Sequence, residues 1–412
     1  DNDGSGADGY LTHDYRATGR IAPQGGRELT IPHVRYDFRI MALRAQVAAL
    51  QGRRRTWFAG GHLRGWMRHE DALVSGYLAA DAITGASAEP ILLRQELRPG
   101  TDAAPLPLPA IASTLARFGD DALFTWLDDH GEPVARLTGR DLDRRSANVA
   151  RELVARGVRP GDRAMLAYPP GLEFIVGLLG CLRAGVVAVP AYPPPPPGSP
   201  GMDAFLATAR DCAASIALTS AEWRPLSLLA GLRATVGALA RGRVDLSMLR
   251  WIVTDRLDDA GSATKDGAPF EDVDRGADDV AILQYTSGST STPRGVMITH
   301  GNLRHQLEAV VGRGVGVTER SIGVWWVPQY HDLGLINCIM SVLAGSGHLY
   351  VLSPLAFLQR PAVWLETLHR VRATHTCSPN FGLGLAARKT TPEQRAGWDL
   401  RSLEVLLCGA EP

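Results

Sequence analysis

Between residues 142 and 407, short β-rich runs alternate with segments whose apolar residues recur at helical spacing, a pattern that few folds satisfy. Leu142, Ala147, Val149, Ala150, Leu153 and Val154 fall at that spacing across 142–156. Gly157 stops the helix, and 163–168 reads as the strand that follows. Residues 171–184 read as the next helix and 186–189 as the next strand. Further β-rich runs stand at 215–218, 251–253, 280–285, 348–352 and 403–407, with helical segments between them. Short, mostly apolar strands separated by helices predict an α/β architecture whose parallel strands are buried on both faces. No internal repeat is visible.

One connection in this series is chemically unusual. The strand at 280–285 runs into Thr286-Ser287-Gly288-Ser289-Thr290-Ser291-Thr292-Pro293-Arg294-Gly295 before a second apolar run at 296–299. Small residues let the backbone approach a polyanion, hydroxyls and N–H groups donate to its oxygens, and Arg294 supplies a fixed charge. The pattern is not a Walker A loop, because Val296 rather than Lys follows Gly295. The plain alternative is a surface turn, for which Ser, Thr, Gly and Pro are common residues.

Five further segments stand with this loop: Ala188-Val189-Pro190-Ala191-Tyr192-Pro193, Trp326-Val327-Pro328-Gln329-Tyr330-His331-Asp332-Leu333-Gly334-Leu335, Ser353-Pro354 with Phe357-Leu358-Gln359-Arg360-Pro361, Pro379-Asn380-Phe381, and Gly409-Ala410-Glu411-Pro412. In this order they resemble the motifs of the adenylate-forming (AMP-dependent synthetase/ligase) superfamily, and their wording is closest to the fatty acyl-AMP ligases. The resemblance covers about residues 106–412. Three departures stand out: Arg294 where the family usually carries Lys, Cys377-Ser378 in place of a Gly-rich pair, and Cys408 where Asn is usual.

The resemblance implies the large N-terminal domain of an adenylate-forming enzyme over 110–412, cut before its C-terminal domain. It implies a fatty acid and Mg-ATP (cofactors ATP and Mg2+) as reactants, and an acyl carrier protein as the acyl acceptor. Thr286, Ser287, Gly288, Ser289, Thr290, Ser291, Thr292 and Gly295 would bind the ATP phosphates, with Arg294 and His331 acting in catalysis. Gly409, Ala410, Glu411 and Pro412 would lie against adenine. Trp326, Tyr330, Asp332, Leu335, Ile339, Met340, Asn380 and Phe381 would line the acyl pocket, although plain core is the competing reading for the apolar ones and a structural role for His331. Neither Lys265 nor Lys389 stands in a context like that of the superfamily's C-terminal catalytic lysine. An acyl-CoA synthetase and a noncatalytic docking fragment remain the alternatives.

A second resemblance lies upstream. Arg55-Thr56-Trp57-Phe58-Ala59-Gly60-Gly61-His62 and His69-Glu70-Asp71-Ala72-Leu73-Val74-Ser75-Gly76, within residues 32–84, resemble the C-terminal end of FAD-dependent amine-oxidase-like proteins. There Gly60, Gly61, Glu70, Asp71, Ser75 and Gly76 would face a flavin, as an α+β remnant over 1–85. No G-x-G-x-x-G fingerprint precedes it, so FAD is expected only if a flavoenzyme half lies upstream. A helical cap on the ligase is the alternative. Residues 86–109, rich in Pro, Gly and Ala, read as a linker. The Pro-rich stretch at 193–200 reads as a stiff surface excursion or, less simply, as a ligand for a proline-binding partner.

Charge and cysteine usage narrow the remaining classes. The 412 residues carry 43 basic and 43 acidic side chains, so no global field favours nucleic acid or an anionic membrane. The most apolar stretch, 174–189, is interrupted by Arg183 and three glycines and is too short to span a bilayer. The five cysteines are odd in number and form no C-x-x-C pair, which points to a reducing, cytoplasmic setting and away from zinc. His62 and His69 lack a third ligand, so no metal site is expected. The start at Asp1 and the end within a motif read as cuts through a longer polypeptide. Oligomeric state is left open.

Overall fold

The computed structural model describes residues 111–192, 200–223, 248–257, 270–286 and 294–409, all within the unit Leu97–Pro412. Outside the described residues lie the flavin-like segment with Gly60, Gly61, Glu70, Asp71, Ser75 and Gly76, the linker, the proline run at 193–199, and residues 287–293. Ala410, Glu411 and Pro412 lie outside them too.

A short helix, α1 (Ile111–Ala116), leads into a hairpin of β1 (Ala122–Leu127) and β2 (Pro133–Thr138). The Asp128 carboxylate shapes its turn by accepting from the backbone N–H groups of His130 and Glu132, both at 2.8 Å. Thr138 then starts α2 (Gly139–Ala155) in a capping box with Asp141. After it come β3 (Arg163–Leu166), α3 (Glu173–Arg183), β4 (Val187–Pro190), α4 (Pro200–Asp211), β5 (Ile216–Thr219) and β6 (Arg250–Val253). The described chain continues through β7 (Val280–Thr286), β8 (Arg294–Thr299), α5 (His300–Leu307), β9 (Ile322–Trp325), α6 (Ser341–Gly345) and β10 (His348–Val351). It closes with α7 (Pro354–Gln359), α8 (Ala362–Arg370), β11 (His375–Ser378), α9 (Asn380–Lys389), α10 (Pro392–Ala396) and β12 (Val405–Cys408).

The strands form two six-stranded sheets, ordered β6-β5-β3-β4-β7-β8 and β12-β11-β9-β10-β1-β2. All ladders are parallel except β1 with β2 and β7 with β8. The expected α/β fold with parallel, doubly buried strands therefore holds for the sheet interiors, where β3, β4 and β5 are almost wholly buried. The antiparallel edge strands β2 and β8 are more open, with Val134, Val296 and Met297 exposed.

Helix α3 is buried from Phe174 through Arg183, which explains an apolar run without a polar face. Arg183 is accommodated there by Asp272 at 2.6 Å and Asp143 at 2.8 Å, and by a further donation to Ser146 Oγ at 3.0 Å. A buried guanidinium is tolerable only when paired and fully hydrogen-bonded, and Arg183 is both. No described helix is long and apolar enough to cross a membrane.

Candidate active site

Every motif segment leaves the carboxyl end of a parallel strand. Tyr192 follows β4, the Ser/Thr loop follows β7, residues 326–332 follow β9, 353–361 follow β10, 379–381 follow β11, and Gly409 follows β12. Within each parallel set the carboxyl ends share one edge. Three contacts join the edges of the two sheets. Gln284 Nε2 on β7 donates to the Tyr330 carbonyl at 2.8 Å, and Gln329 Oε1 accepts from the Gly171 N–H at 2.8 Å. The rings of Tyr192 and Tyr330 meet edge to face, 5.4 Å between centroids. A crevice outside the carboxyl ends of strands is where open α/β sheets bind ligands.

The neck of the Ser/Thr loop is a β-ladder. Thr286 is the register partner of Arg294, and Tyr285 that of Gly295, so the two chain ends that bound residues 287–293 are held side by side. Arg294 is exposed at this neck. A Cβ on Gly295 would stand 2.9 Å from the Tyr285 ring, so glycine there lets the cross-strand aromatic keep its place. The Tyr285 hydroxyl donates to the Asp211 carboxylate at the end of α4. Burial and that carboxylate push the phenol pKa up, which keeps the proton on the donor.

His331 lies in a tight turn. Its N–H donates to the Pro328 carbonyl at 3.1 Å, and its carbonyl accepts from the Leu335 N–H at 2.8 Å. His331 Nδ1 lies 2.5 Å from Asp332 Oδ1, and both side chains are more than half exposed or close to it, so the imidazole edge is open to a ligand. Asp332 also accepts from the Leu333 N–H at 2.7 Å, which caps the helix that begins there. That helix, Leu333–Met340, is π-wound. Ser341 Oγ donates to the Ile336 carbonyl five residues back. Wide turns of this kind are frequent at functional sites. Gly334 lets it pack on the turn, since a Cβ would stand 2.2 Å from the Pro328 carbonyl oxygen.

The residues expected to line an acyl pocket separate into two groups. Leu335, Ile339 and Met340 are buried in the main hydrophobic cluster. Trp326, also buried, stacks on Phe357 at 3.7 Å and meets Phe381 edge to face at 5.8 Å and Trp364 at 6.4 Å. Phe381 is 49% exposed, and Asn380 beside it at the start of α9 is exposed, so this aromatic cluster opens to solvent on one side. Tyr330 is half-buried, and burial together with Tyr192 raises its phenol pKa, which keeps it a neutral donor. Gly409 directly follows β12, and a Cβ there would meet nothing within 4 Å.

Gln284, Gln329 and Trp364 were not among the residues marked by sequence. Gln329 lies inside the Trp326–Leu335 segment and Gln284 on the strand before the Ser/Thr loop, but no local pattern says that their amides cross between sheets. Phe357 stood in a quoted motif as well, and its face-to-face packing on Trp326 is a tertiary fact.

The model of the AMP-binding enzyme family matches residues 112–412, nearly three quarters of the chain. The chain belongs to that family. The match begins beyond the flavin-like segment at 32–84. Among similar AMP-binding proteins is JamA of Moorena producens, a medium-chain fatty acid–acyl-carrier-protein ligase, 40% identical over 293 residues, 70% of this chain and 46% of its own. FadD28 of Mycobacterium bovis, a long-chain fatty acid–AMP ligase, is 35% identical over 315 residues, 74% of this chain and 51% of its own. The crystal structure of a fatty acyl-adenylate ligase from L. pneumophila, in complex with acyl adenylate and pyrophosphate, superposes with a TM-score of 0.63. It is 29% identical and covers 73% of this chain and 50% of its own. The chain thus spans about half the length of the relatives it matches.

Proposed function

We infer that the full-length protein activates a fatty acid as its acyl-adenylate and passes the acyl group to the phosphopantetheine thiol of a carrier protein. The observation that carries this reading is that the described parts of the six motif segments lie at or follow the carboxyl ends of strands in the two sheets, which the Gln284–Tyr330 bond joins. The activities of the similar proteins JamA and FadD28 support it.

A carboxylate oxygen attacks the α-phosphorus of ATP, the bond to the β-phosphate oxygen breaks, and pyrophosphate leaves with its added charge. Two anions approach each other, so cations and N–H or O–H donors lower the barrier where a general base would not. Arg294 and residues 286–292 with Gly295 would hold the β- and γ-phosphates in line. His331, open at its imidazole edge, would meet the carboxylate and α-phosphate. Mg2+ would come with ATP on its phosphate oxygens, as hard oxygen ligands suit it. Gly409, Ala410, Glu411 and Pro412 would flank adenine.

The acyl tail would enter over Phe381 and Trp326, beside Tyr330, Asp332 and Asn380. Each methylene buried there contributes about 0.8 kcal/mol. Leu335, Ile339 and Met340 lie deeper, so a tail that reaches them must displace packed side chains. In the second step the thiol attacks the acyl carbonyl and AMP leaves. FAD remains a separate proposal that rests on the sequence resemblance at 32–84 alone.

The acceptor test separates this reading from an acyl-CoA synthetase. Preformed acyl-adenylate on the full-length protein is offered phosphopantetheinylated carrier protein or free coenzyme A, and thioester yield is followed. Transfer to the carrier is expected to be much the faster, because a protein surface adds binding energy that the small cofactor lacks. Saturable acyl-CoA formation at an equal or higher rate would assign the protein to the synthetases.

A further inference from the structure

Gln284 sits on β7 two residues before Thr286 and is only 9% exposed. Its Nε2 donates to the Tyr330 carbonyl, while its Oε1 has no hydrogen-bond partner among the described residues. The amide orientation is decided by that bond, since a carbonyl oxygen can accept only from the NH2 end. Beside it, Gln329 accepts from the Gly171 N–H through Oε1, and its own Nε2 has no partner among the described residues. Two side-chain amides thus tie the turn that carries His331 to the sheet of β3 and β7, one reaching in from β7 and one reaching out from the turn. An unsatisfied buried acceptor costs stability, and Ile282, two residues back and so on the same face, is fully buried, so an apolar side chain would suit this position. The residue makes physical sense through what it holds.

We propose that Gln284 is a positioning residue for adenylation, one that keeps the Tyr330–His331–Asp332 turn in register with the neck of the phosphate loop. The inference rests on the function proposed above. Arg294 and His331 lie on different sheets, yet both must address one triphosphate. The path between them is short: Arg294 pairs with Thr286, two residues along β7 from Gln284, and Gln284 bonds the residue before His331. A shift of this turn by about 1 Å can cost on the order of a hundredfold in rate.

The experiment compares wild type, Gln284→Leu, His331→Ala and the double variant of the full-length protein, with kcat and KM for ATP from fatty-acid-dependent pyrophosphate release and with melting temperatures. Gln284→Leu removes the orphan acceptor but also takes the donor from the Tyr330 carbonyl, so its melting temperature should fall by no more than a few degrees. Its kcat should fall about tenfold to a hundredfold, with KM for ATP moving less than about twofold. In the double variant the loss should be no greater than that of His331→Ala alone, because the glutamine acts through the histidine's turn. Losses that multiply would overturn the positioning role while leaving the function intact. A His331→Ala enzyme with wild-type kcat would remove the histidine from the mechanism and this inference with it. A lower melting temperature with unchanged kcat would make Gln284 merely structural. Should the leucine variant fail to fold, Gln284→Glu keeps the volume but cannot donate when ionised, and the same comparison applies.

Discussion

Gly334→Ala should leave the fold standing but lower the rate of adenylate formation by about a hundredfold or more. The added Cβ would fall 2.2 Å from the Pro328 carbonyl oxygen, 2.9 Å from its carbon and 3.3 Å from Gln329 Cα. All three are backbone atoms, so no side chain can rotate away. The π-wound helix at Leu333–Met340 or the turn at 328–332 must move, and Tyr330, His331 and Asp332 move with it. Overpacking of this kind costs about 1 to 3 kcal/mol in stability. Because the clash sits on the turn rather than within the sheets, a drop of several degrees in melting temperature should accompany a much larger loss of kcat. A variant with normal kcat would mean that the turn relaxes without disturbing the site.

Arg294→Ala should weaken ATP use by about ten- to a hundredfold, roughly 1.4 to 3 kcal/mol, because a charge-assisted donor to phosphate is lost. Arg294 stands at the neck of the Ser/Thr loop opposite Thr286, and it is exposed, so its removal opens no cavity. Melting should therefore be unchanged. Arg294→Lys should be mild, since the charge is kept while the fork geometry changes. Steady-state kinetics in ATP for the two variants decide the matter. Equal and negligible losses in both would place the side chain away from the triphosphate.

Much of this was legible in the chain because it is local. The helical spacing of Leu142, Val149, Ala150 and Leu153 is the buried face of α2, and Gly157 ends that helix as its position indicates. The apolar runs read as strands at 163–168 and 280–285 contain the strands Arg163–Leu166 and Val280–Thr286. The wording of the motif segments was readable one by one. Their meeting was not, because it depends on which strands lie side by side. β4 and β7 are separated by some ninety residues of sequence yet pair through Ala188 and Ile282. The hairpin of β1 and β2 precedes the alternating pattern that begins at 142, and its turn is closed by the Asp128 carboxylate, a contact that no spacing signals. The π-winding at 333–340 has no signature in a period of 3.6. Gly295 was read as room for a phosphate, and the structure adds a nearer cause in the Tyr285 ring across the ladder.

Exchange of labelled pyrophosphate into ATP by the full-length protein tests the central claim most directly, because it reports reversible adenylate formation whatever the acceptor. With Mg-ATP present, exchange should depend on added fatty acid and be unaffected by amino acids. Exchange that requires an amino acid and ignores fatty acids would contradict the substrate assignment.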